Sequence, residues 1–173
     1  MPLTLPPVIE PLSRNHNRES FDCGEPELND YLRRQASQDS RRGVSRVYVA
    51  RERGSSKVLG YYTLSAASFG RKSLPEKAAK RLPHYPVPAA LLGRLAVDST
   101  CQGQKLGKYM LFDAFHRVLH AAETLAVYAL VVDAKNDGAR AFYEHYGFLR
   151  FPDTPSRLFI PIETLRRATE QLD

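Results

Sequence analysis

Two apolar runs, separated by a glycine-containing turn and an amphipathic segment, constrain the fold most strongly. The first run, LLGRLAV, starts at Leu91 and is almost continuously apolar, as in a strand covered on both faces. The second, LAVYALVV, spans 125–132, and between the two runs apolar residues recur at helical spacing from Leu111 to Ala122. Strand, helix and strand in this order predict a βαβ unit with parallel strands.

The segments outside this unit predict further strands and helices. The runs at 46–52 and 58–69 are rich in β-branched and aromatic residues and flank the turn RGSSK, so they predict a β-hairpin. Helical patterns at 27–42 and 137–145 are predicted to lie before and after the apolar runs. A proline-punctuated segment after residue 73 predicts a short helix with an extended connection, strand-like pieces lie near 148–151 and 157–161, and IETLRRATEQL predicts a final helix. We expect one mixed α/β domain over residues 1–173.

Composition restricts where the protein works. Two cysteines, Cys23 and Cys101, fit a reducing cytosol better than a disulfide framework. No apolar run reaches the ~20 residues of a membrane helix, and the N-terminal residues show no signal-peptide pattern. We therefore expect a cytoplasmic protein that does not associate with a membrane.

Positive charge is concentrated in one part of the chain. The formal net charge is +6, but residues 31–81 hold 13 Lys and Arg against 3 Asp and Glu. A region of this kind can attract nucleic acid. A solubilising surface is the alternative, and charge alone does not decide between them.

The turn after the first apolar run, DSTCQGQKLGKYM, has the composition of a phosphate-binding loop. Helix N-termini present N–H groups and a positive dipole end to anions, and glycine lets the backbone approach closely. A P-loop is excluded because three residues, not four, separate Gly103 from Gly107, and Tyr109 follows Lys108. The dinucleotide fingerprint G-x-G-x-x-G is also absent.

A third pattern fits the turn. Gln102-Gly103-Gln104-Lys105-Leu106-Gly107 resembles the coenzyme A loop of the GCN5-related N-acetyltransferases (GNAT), Gln/Arg-x-x-Gly-x-Gly/Ala. The resemblance implies a GNAT fold: a central mixed, mostly antiparallel sheet with a splayed parallel strand pair at the coenzyme A site, flanked by helices. The co-substrate is then acetyl-CoA, and backbone amides from Gln104 to Lys108 point at its pyrophosphate.

Lys105 departs from the family pattern, because it stands where the first motif glycine usually lies. It weakens the loop if a positive φ is needed there. Alternatively, its ammonium adds a charge beside the pyrophosphate.

The segment DAKNDGARAFYEHYGF at 133–148 resembles the next element of the family. In that resemblance Asn136 approaches the pantetheine arm, and Tyr143 lies near the thioester sulfur, where a phenol can protonate the leaving thiolate. The strand segment Leu95-Ala96-Val97 would offer main-chain groups to the pantetheine and an N–H to the carbonyl oxygen. Aromatic packing is the alternative role of Tyr143.

The segments FDCGEPELNDYL, VLGYYTLSA, LPHYPVPAALLGRLAVD and FYEHYGF together resemble the toxin branch of this superfamily. The resemblance implies acetylation of the α-amino group of aminoacyl-tRNA, which blocks translation. It also implies a homodimer and a ribbon-helix-helix antitoxin.

The basic region supplies candidate contacts to tRNA phosphates. The candidates are Arg33, Arg34, Arg41, Arg42, Arg46, Arg71, Lys72, Lys77, Lys80 and Arg81. Arg94 differs from these because it lies inside an apolar run, where a charge needs a partner or a wet cleft. Its assignment to the active-site groove and its assignment to a structural salt bridge both stay open.

The sequence shows no evident general base for the acceptor amine, and the reaction does not require one. An α-amino group has a pKa of about 7.7–8.0, and its ester linkage to tRNA lowers it further, so a substantial neutral fraction exists at neutral pH.

We expect no metal site. His116 and His120 are four residues apart on a helix, but no third ligand accompanies them. Cys101 is interpreted as a packing residue rather than a nucleophile. Two other functions stay open: acetylation of a small amine or a protein N-terminus, and a non-catalytic coenzyme A-binding module.

Overall fold

The computed structural model describes residues 2–170 and contains one seven-stranded sheet. The strand order is β1-β2-β3-β4-β5-β7-β6. The strands are β1 (Val8–Pro11), β2 (Arg46–Arg51), β3 (Gly60–Phe69), β4 (Val87–Val97), β5 (Ala129–Asp133), β6 (Leu149–Phe151) and β7 (Thr154–Pro161). The β4–β5 pair is parallel, while the pairs β1–β2, β2–β3, β5–β7 and β6–β7 are antiparallel. The predicted α/β GNAT fold with one parallel pair is confirmed.

Six α-helices accompany the sheet in the described residues. They are α1 (Pro26–Asp30), α2 (Ala36–Arg42), α3 (Glu76–Ala79), α4 (Leu106–Ala121), α5 (Asp137–His145) and α6 (Ile162–Glu170). A π-helical segment, Tyr31–Gln35, joins α1 to α2. No helix among residues 2–170 is long and apolar enough to cross a bilayer.

The chain divides into two compact units, each with its own core. The first unit comprises the residues up to Ser65 together with Gly93–Ala114, and the second comprises Ala66–Leu92 and the chain from Phe115 onward. The single domain over residues 1–173 stays a prediction.

Aromatic rings dominate the core of the first unit. Phe21 meets the Tyr61 ring edge-on with centroids 5.6 Å apart, and Tyr31 stacks on Tyr61 at 6.2 Å. The Tyr61 hydroxyl donates to the Leu28 carbonyl at 2.7 Å, so this buried polar atom is satisfied. These contacts fasten α1 and the π-helical segment to β3.

The second unit has a separate aromatic cluster around β7. Phe151 lies between Phe69 and Phe159, with ring centroids 5.3 Å and 4.8 Å away. Val131 of β5 packs in the same cluster. This cluster supports the strand that leads into α5, on which the predicted catalytic tyrosine lies.

The βαβ unit, the hairpin, the short helix near residue 76 and the helix at 137–145 are confirmed. The sequence did not predict β1, and it placed the start of β5 at 125 instead of Ala129. Leu125 is 70% exposed because its N–H still donates to the Ala121 carbonyl in the turn that ends α4. The predicted helix at 27–42 is one helical stretch interrupted by the π segment, and the last residues of the predicted final helix lie outside the described range.

An ion pair holds the edge strand β1 to β2. The Arg51 Nε lies 2.6 Å from Glu10 Oε1, and His16 Nε2 lies 2.8 Å from the same oxygen. Hydrogen bonds from Arg51 first and His16 second lower the pKa of Glu10 to about 2. The carboxylate is thus stabilised in the folded protein.

We expect this carboxylate to contribute to acid stability. A lowered folded-state pKa adds stability above the ordinary value near 4.5, and that stability is lost as pH falls towards 2. Glu10→Gln should lower the free energy of unfolding by about 1 kcal/mol at pH 7, because the pair is partly exposed, and should flatten its decline between pH 4.5 and 2.5. Denaturant unfolding at several pH values measures both effects. The same acid dependence in Glu10→Gln and in the exposed control Glu27→Gln would contradict this assignment.

Candidate active site

The turn between β4 and α4 is built on left-handed backbone. Gly103 has φ +79°, and a Cβ added to it would meet nothing within 4 Å. Lys105 has φ +70° and is the only residue other than glycine with a positive φ among residues 2–170. The position where the family has glycine therefore requires a left-handed conformation here too, and lysine adopts it at a cost of about 1–2 kcal/mol.

The turn places main-chain donors at the start of α4. The Tyr109 N–H donates to the Lys105 carbonyl at 3.2 Å, which is the first hydrogen bond of the helix. The N–H groups of Leu106, Gly107 and Lys108 precede it and have no acceptor within the helix. With the helix dipole, they fit a phosphate group.

Two glutamine side chains brace this turn. Gln102 Nε2 donates to the Val97 carbonyl at 3.1 Å and to the Cys23 carbonyl at 3.3 Å. Gln104 accepts from the Leu3 N–H at 2.7 Å and donates to the Thr100 carbonyl. The sequence assigned both residues to coenzyme binding. In the structure their side chains hold the loop. Any contact of these two residues with a ligand would therefore come from their main-chain groups.

The strand segment Leu95-Ala96-Val97 ends β4 directly before this turn. The pairing of β4 with β5 extends from Ala89 to Leu92, and β4 continues to Val97. Ala96 is 4% exposed and packs in the core of the first unit. Its burial fixes the strand, and through Val97 the strand is tied to Gln102.

Asn136 lies in the second unit and caps α5. Its side-chain oxygen accepts from the Ala139 N–H at 2.8 Å, and its backbone is extended, as in a typical N-cap. The sequence linked Asn136 to the pantetheine and missed this capping role. The Asn-x-x-Ala spacing before a helical pattern was the available signal.

Tyr143, on α5, has a buried ring between two aromatic neighbours. The centroids of Phe142 and Phe148 lie 5.3 Å from it, both in edge-on geometry. Its hydroxyl has no hydrogen-bond partner among residues 2–170, yet every fully buried side-chain polar atom described has one, so this oxygen is not fully buried. Burial raises the pKa of Tyr143 above its usual value near 10. The phenol is therefore protonated at neutral pH and able to donate a hydrogen bond.

Comparison with known proteins places this geometry in a family. The acetyltransferase (GNAT) family matches residues 11–148, which include the loop, Asn136 and Tyr143. The chain belongs to the GNAT acetyltransferase family. It is thus an acetyl-CoA-dependent N-acetyltransferase by class.

Relatives of this GNAT chain include toxins. It is 40% identical over 147 residues to the tRNA-acetylating toxin of Mycobacterium tuberculosis, covering 85% of this chain and 87% of the relative. It resembles the solved structure of AtaT complexed with acetyl-methionyl-tRNAfMet, with a TM-score of 0.88, 32% identity, and 95% and 99% of the two chains covered.

A second solved structure is a tyrosine-to-phenylalanine mutant of the AtaT toxin bound to the C-terminus of the antitoxin AtaR and acetyl-CoA. It matches with a TM-score of 0.80 and 29% identity over 94% of this chain and 98% of that one. The predictions of the GNAT family, of its toxin branch and of acetyl-CoA as co-substrate are confirmed.

The candidate RNA-contacting residues of the GNAT domain fall into two groups. Those in the first unit are Arg33, Arg34, Arg41, Arg42, Arg46 and Arg94, and those in the second are Arg71, Lys72, Lys77, Lys80 and Arg81. Three guanidinium groups already donate to main-chain carbonyls: Arg33 to Phe21 at 2.7 Å, Arg46 to Ser40 at 2.9 Å and Arg71 to Leu82 at 3.0 Å. The best remaining candidates are the exposed side chains without such bonds.

Arg94 has no carboxylate partner within residues 2–170, so the structural salt bridge considered from the sequence is wrong for the described chain. Its Cζ lies 3.5 Å from the centre of the Tyr31 ring instead. The Tyr31 hydroxyl donates to Asp39 Oδ2 at 2.8 Å. Burial first, and this hydrogen bond second, raise the pKa of Tyr31, so the ring stays neutral.

The described residues contain no group of three His, Cys, Asp or Glu side chains placed to hold a metal ion. His120 Nδ1 lies 3.8 Å from Glu123 Oε2, and both side chains are exposed. Cys101 is buried at 6% exposure, as expected of a packing residue.

Lys105 yields a prediction that separates its backbone from its charge. Lys105→Gly should leave the free energy of unfolding unchanged or raise it by up to about 1 kcal/mol, because glycine removes the left-handed strain but adds unfolded-state entropy. Its dissociation constant for acetyl-CoA should change less than about tenfold, since one exposed charge contributes little. Lys105→Ala is the control, because it removes the ammonium and keeps the strain. Complete loss of binding in Lys105→Gly, measured by calorimetry, would show that the lysine is essential.

Proposed function

We propose that this GNAT protein is a toxin that transfers acetyl from acetyl-CoA to the α-amino group of aminoacyl-tRNA and so stops translation. The observation that carries the proposal is its similarity, along 85% of the chain, to a tRNA-acetylating toxin. The AtaT complex with acetyl-methionyl-tRNAfMet adds support, because it resembles this chain over 95% of its length. An acetylated amine cannot attack the peptidyl ester, so the capped tRNA is inactive as an acceptor.

In this proposal the main chain of the loop binds the diphosphate of acetyl-CoA. The residues are Gln102, Gly103, Gln104, Lys105, Leu106, Gly107 and Lys108, with Leu95, Ala96, Val97 and Asn136 along the pantetheine. The N–H groups at the start of α4 and the left-handed turn support this assignment, because they combine open space with unpaired donors.

Tyr143 supplies the proton in the proposed reaction. The acceptor nitrogen attacks the acetyl carbonyl carbon, the carbon–sulfur bond breaks, and the Tyr143 hydroxyl protonates the leaving thiolate. The proton released by the amine passes to solvent, which later reprotonates the phenol. The structure supports this role because the hydroxyl is protonated at neutral pH, is not fully buried and has no acceptor within residues 2–170.

We propose that residues 1–173 act as one acetyltransferase domain, since the family match includes residues of both compact units. The proposed partners are charged tRNA, a second copy of the chain in a homodimer, and a ribbon-helix-helix antitoxin. An AtaT toxin structure that contains the C-terminus of the antitoxin AtaR supports the antitoxin assignment. The proposed place of action is the cytoplasm, where charged tRNA is found.

The acceptor is tested by following the acetyl group. Protein, labelled acetyl-CoA and bulk charged tRNA should give labelled RNA, whereas uncharged tRNA should not, because the amine is absent. Mild alkali should release the label with the amino acid, since it cleaves the ester. Unlabelled tRNA together with thiol release from simple amines would replace the toxin proposal with small-amine acetylation. Acetyl-CoA binding without thiol release would indicate a non-catalytic module.

The catalytic role proposed for Tyr143 predicts that its loss slows the chemical step and leaves acetyl-CoA binding intact. Tyr143→Phe should lower kcat by about 10²–10⁴-fold, the usual contribution of a positioned acid, while the dissociation constant for acetyl-CoA stays within about twofold. Steady-state kinetics and calorimetry measure the two quantities. Tyr146→Phe is the matched control, because it removes a hydroxyl from the end of the same helix and should keep kcat within about threefold. An unchanged kcat in Tyr143→Phe would exclude Tyr143 from the mechanism.

A further inference from the structure

Arg94 occupies an unusual position for a charged residue. Side chains alternate along a strand, so Arg94 shares the face of β4 that carries Ala96, which packs in the core of the first unit. The Arg94 side chain is half-buried, and a guanidinium in apolar surroundings is costly unless its charge and its donors have partners. The structure provides only part of that compensation.

The part provided is a stack of rings. Arg94 lies over the face of Tyr31, and Tyr31 stacks on Tyr61 with the two ring planes 17° apart. The hydroxyl of Tyr31 is anchored to Asp39, and Tyr61 is completely buried. Tyr31 and Tyr61 are thus fixed by hydrogen bonds and packing, so the guanidinium of Arg94 has a defined orientation.

Stacking leaves the hydrogen-bonding edge of Arg94 available. A guanidinium stacks through its face, whereas its five N–H donors point outward in its plane. No carboxylate among residues 2–170 pairs with it. The helical stretch 31–42, which supplies Tyr31, carries Arg33, Arg34, Arg41 and Arg42 but only one acid, Asp39. The N–H edge of Arg94 is therefore suited to an anionic ligand.

The position of Arg94 along the chain indicates which anion this is. Arg94 directly precedes Leu95-Ala96-Val97, the segment assigned to the reacting end of acetyl-CoA, and strand residues are about 3.3 Å apart. In aminoacyl-tRNA, the ribose that carries the amino-acid ester also carries a 5′ phosphate. This phosphate is therefore the anionic group of the acceptor that lies nearest to the reacting amine.

We propose that Arg94 binds the phosphate of the terminal nucleotide of the aminoacyl-tRNA acceptor through its N–H edge, and that Tyr31 is the positioning residue that holds it there. This inference rests on the proposed function and makes it more specific. It gives the enzyme a way to distinguish aminoacyl-RNA from a free amino acid or a small amine, which lacks the phosphate. A bidentate guanidinium–phosphate contact is both strong and directional.

A pair of small acceptors isolates this contact. One is 3′-O-aminoacyl adenosine 5′-monophosphate, and the other is the same aminoacyl adenosine without its phosphate, both carrying the amino acid released in the charged-tRNA assay. We would measure kcat and KM for each acceptor with the wild-type protein, Arg94→Ala, Arg94→Lys and the control Arg53→Ala. Arg53 is an exposed arginine of the same unit that belongs to none of the assigned sites.

Arg94→Ala should lose about 10–100-fold in kcat/KM with the phosphorylated acceptor, mostly through KM, because hydrogen bonds to charged groups are the strong ones. With the phosphate-free acceptor it should change less than about threefold, and its affinity for acetyl-CoA should be unchanged. Arg94→Lys should fall between wild type and Arg94→Ala, since it keeps the charge and loses the planar fork. It also keeps the test informative if Arg94→Ala does not fold. Arg53→Ala should match the wild type.

Tyr31 is tested through the same acceptor pair. Tyr31→Phe keeps the ring face and should preserve the wild-type preference for the phosphorylated acceptor within about threefold, whereas Tyr31→Leu should reduce that preference. A purely structural role of Tyr31 would lower activity on both acceptors equally.

Three results would overturn the inference about Arg94. Equal losses on the two acceptors would show that the contact is not with the phosphate, and weakened binding of acetyl-CoA would reassign Arg94 to that ligand. Unchanged kinetics would remove it from substrate binding. Wild-type protein that labels no aminoacyl compound would instead refute the proposed function, on which the inference rests.

Discussion

The turn between β4 and α4 requires backbone dihedrals that residues other than glycine rarely adopt, and the chemistry proposed for the chain depends on it. Left-handed conformations at Gly103 and Lys105 turn the chain into α4 so that three N–H groups precede the first helical hydrogen bond. The Gln102 and Gln104 side chains hold this arrangement against β4 and the N-terminal residues. Strain of this kind persists where the surrounding structure over-determines it, and here the two glutamine side chains supply that constraint.

In each compact unit, buried aromatic rings surround or support a residue with a proposed role in the reaction. In the second unit, the Tyr143 ring is buried against Phe142 and Phe148, and this burial raises the pKa of its hydroxyl. In the first unit, Tyr31 and Tyr61 form a rigid surface under Arg94, whose charge has no carboxylate partner in the described chain. A partially buried charge that the fold does not satisfy is costly, which supports the proposed phosphate contact of Arg94.

Local signals explain why much of the fold was predictable. Apolar spacing located β4 and α4, and the turn RGSSK located the hairpin, because strand and helix periods are recorded in consecutive residues. The edge strand β1 was missed because only four half-exposed residues form it, and its pairing with β2 depends on distant partners. The start of β5 was misplaced because apolar composition does not separate a strand from the turn that ends the preceding helix.

The site was predictable in its residue identities and less so in their roles. The sequence by itself determined the loop pattern, the lysine at the glycine position and the spacing to Asn136 and Tyr143, since these are properties of residue order. Only the tertiary structure decided that Lys105 is left-handed and that Arg94 stacks on Tyr31 instead of pairing with an acid, whereas the Asn136 cap of α5 is a local contact with a signal in the sequence. Tyr31 and Arg94 are 63 positions apart, so their contact depends on how the chain packs and is not recorded in a local sequence pattern.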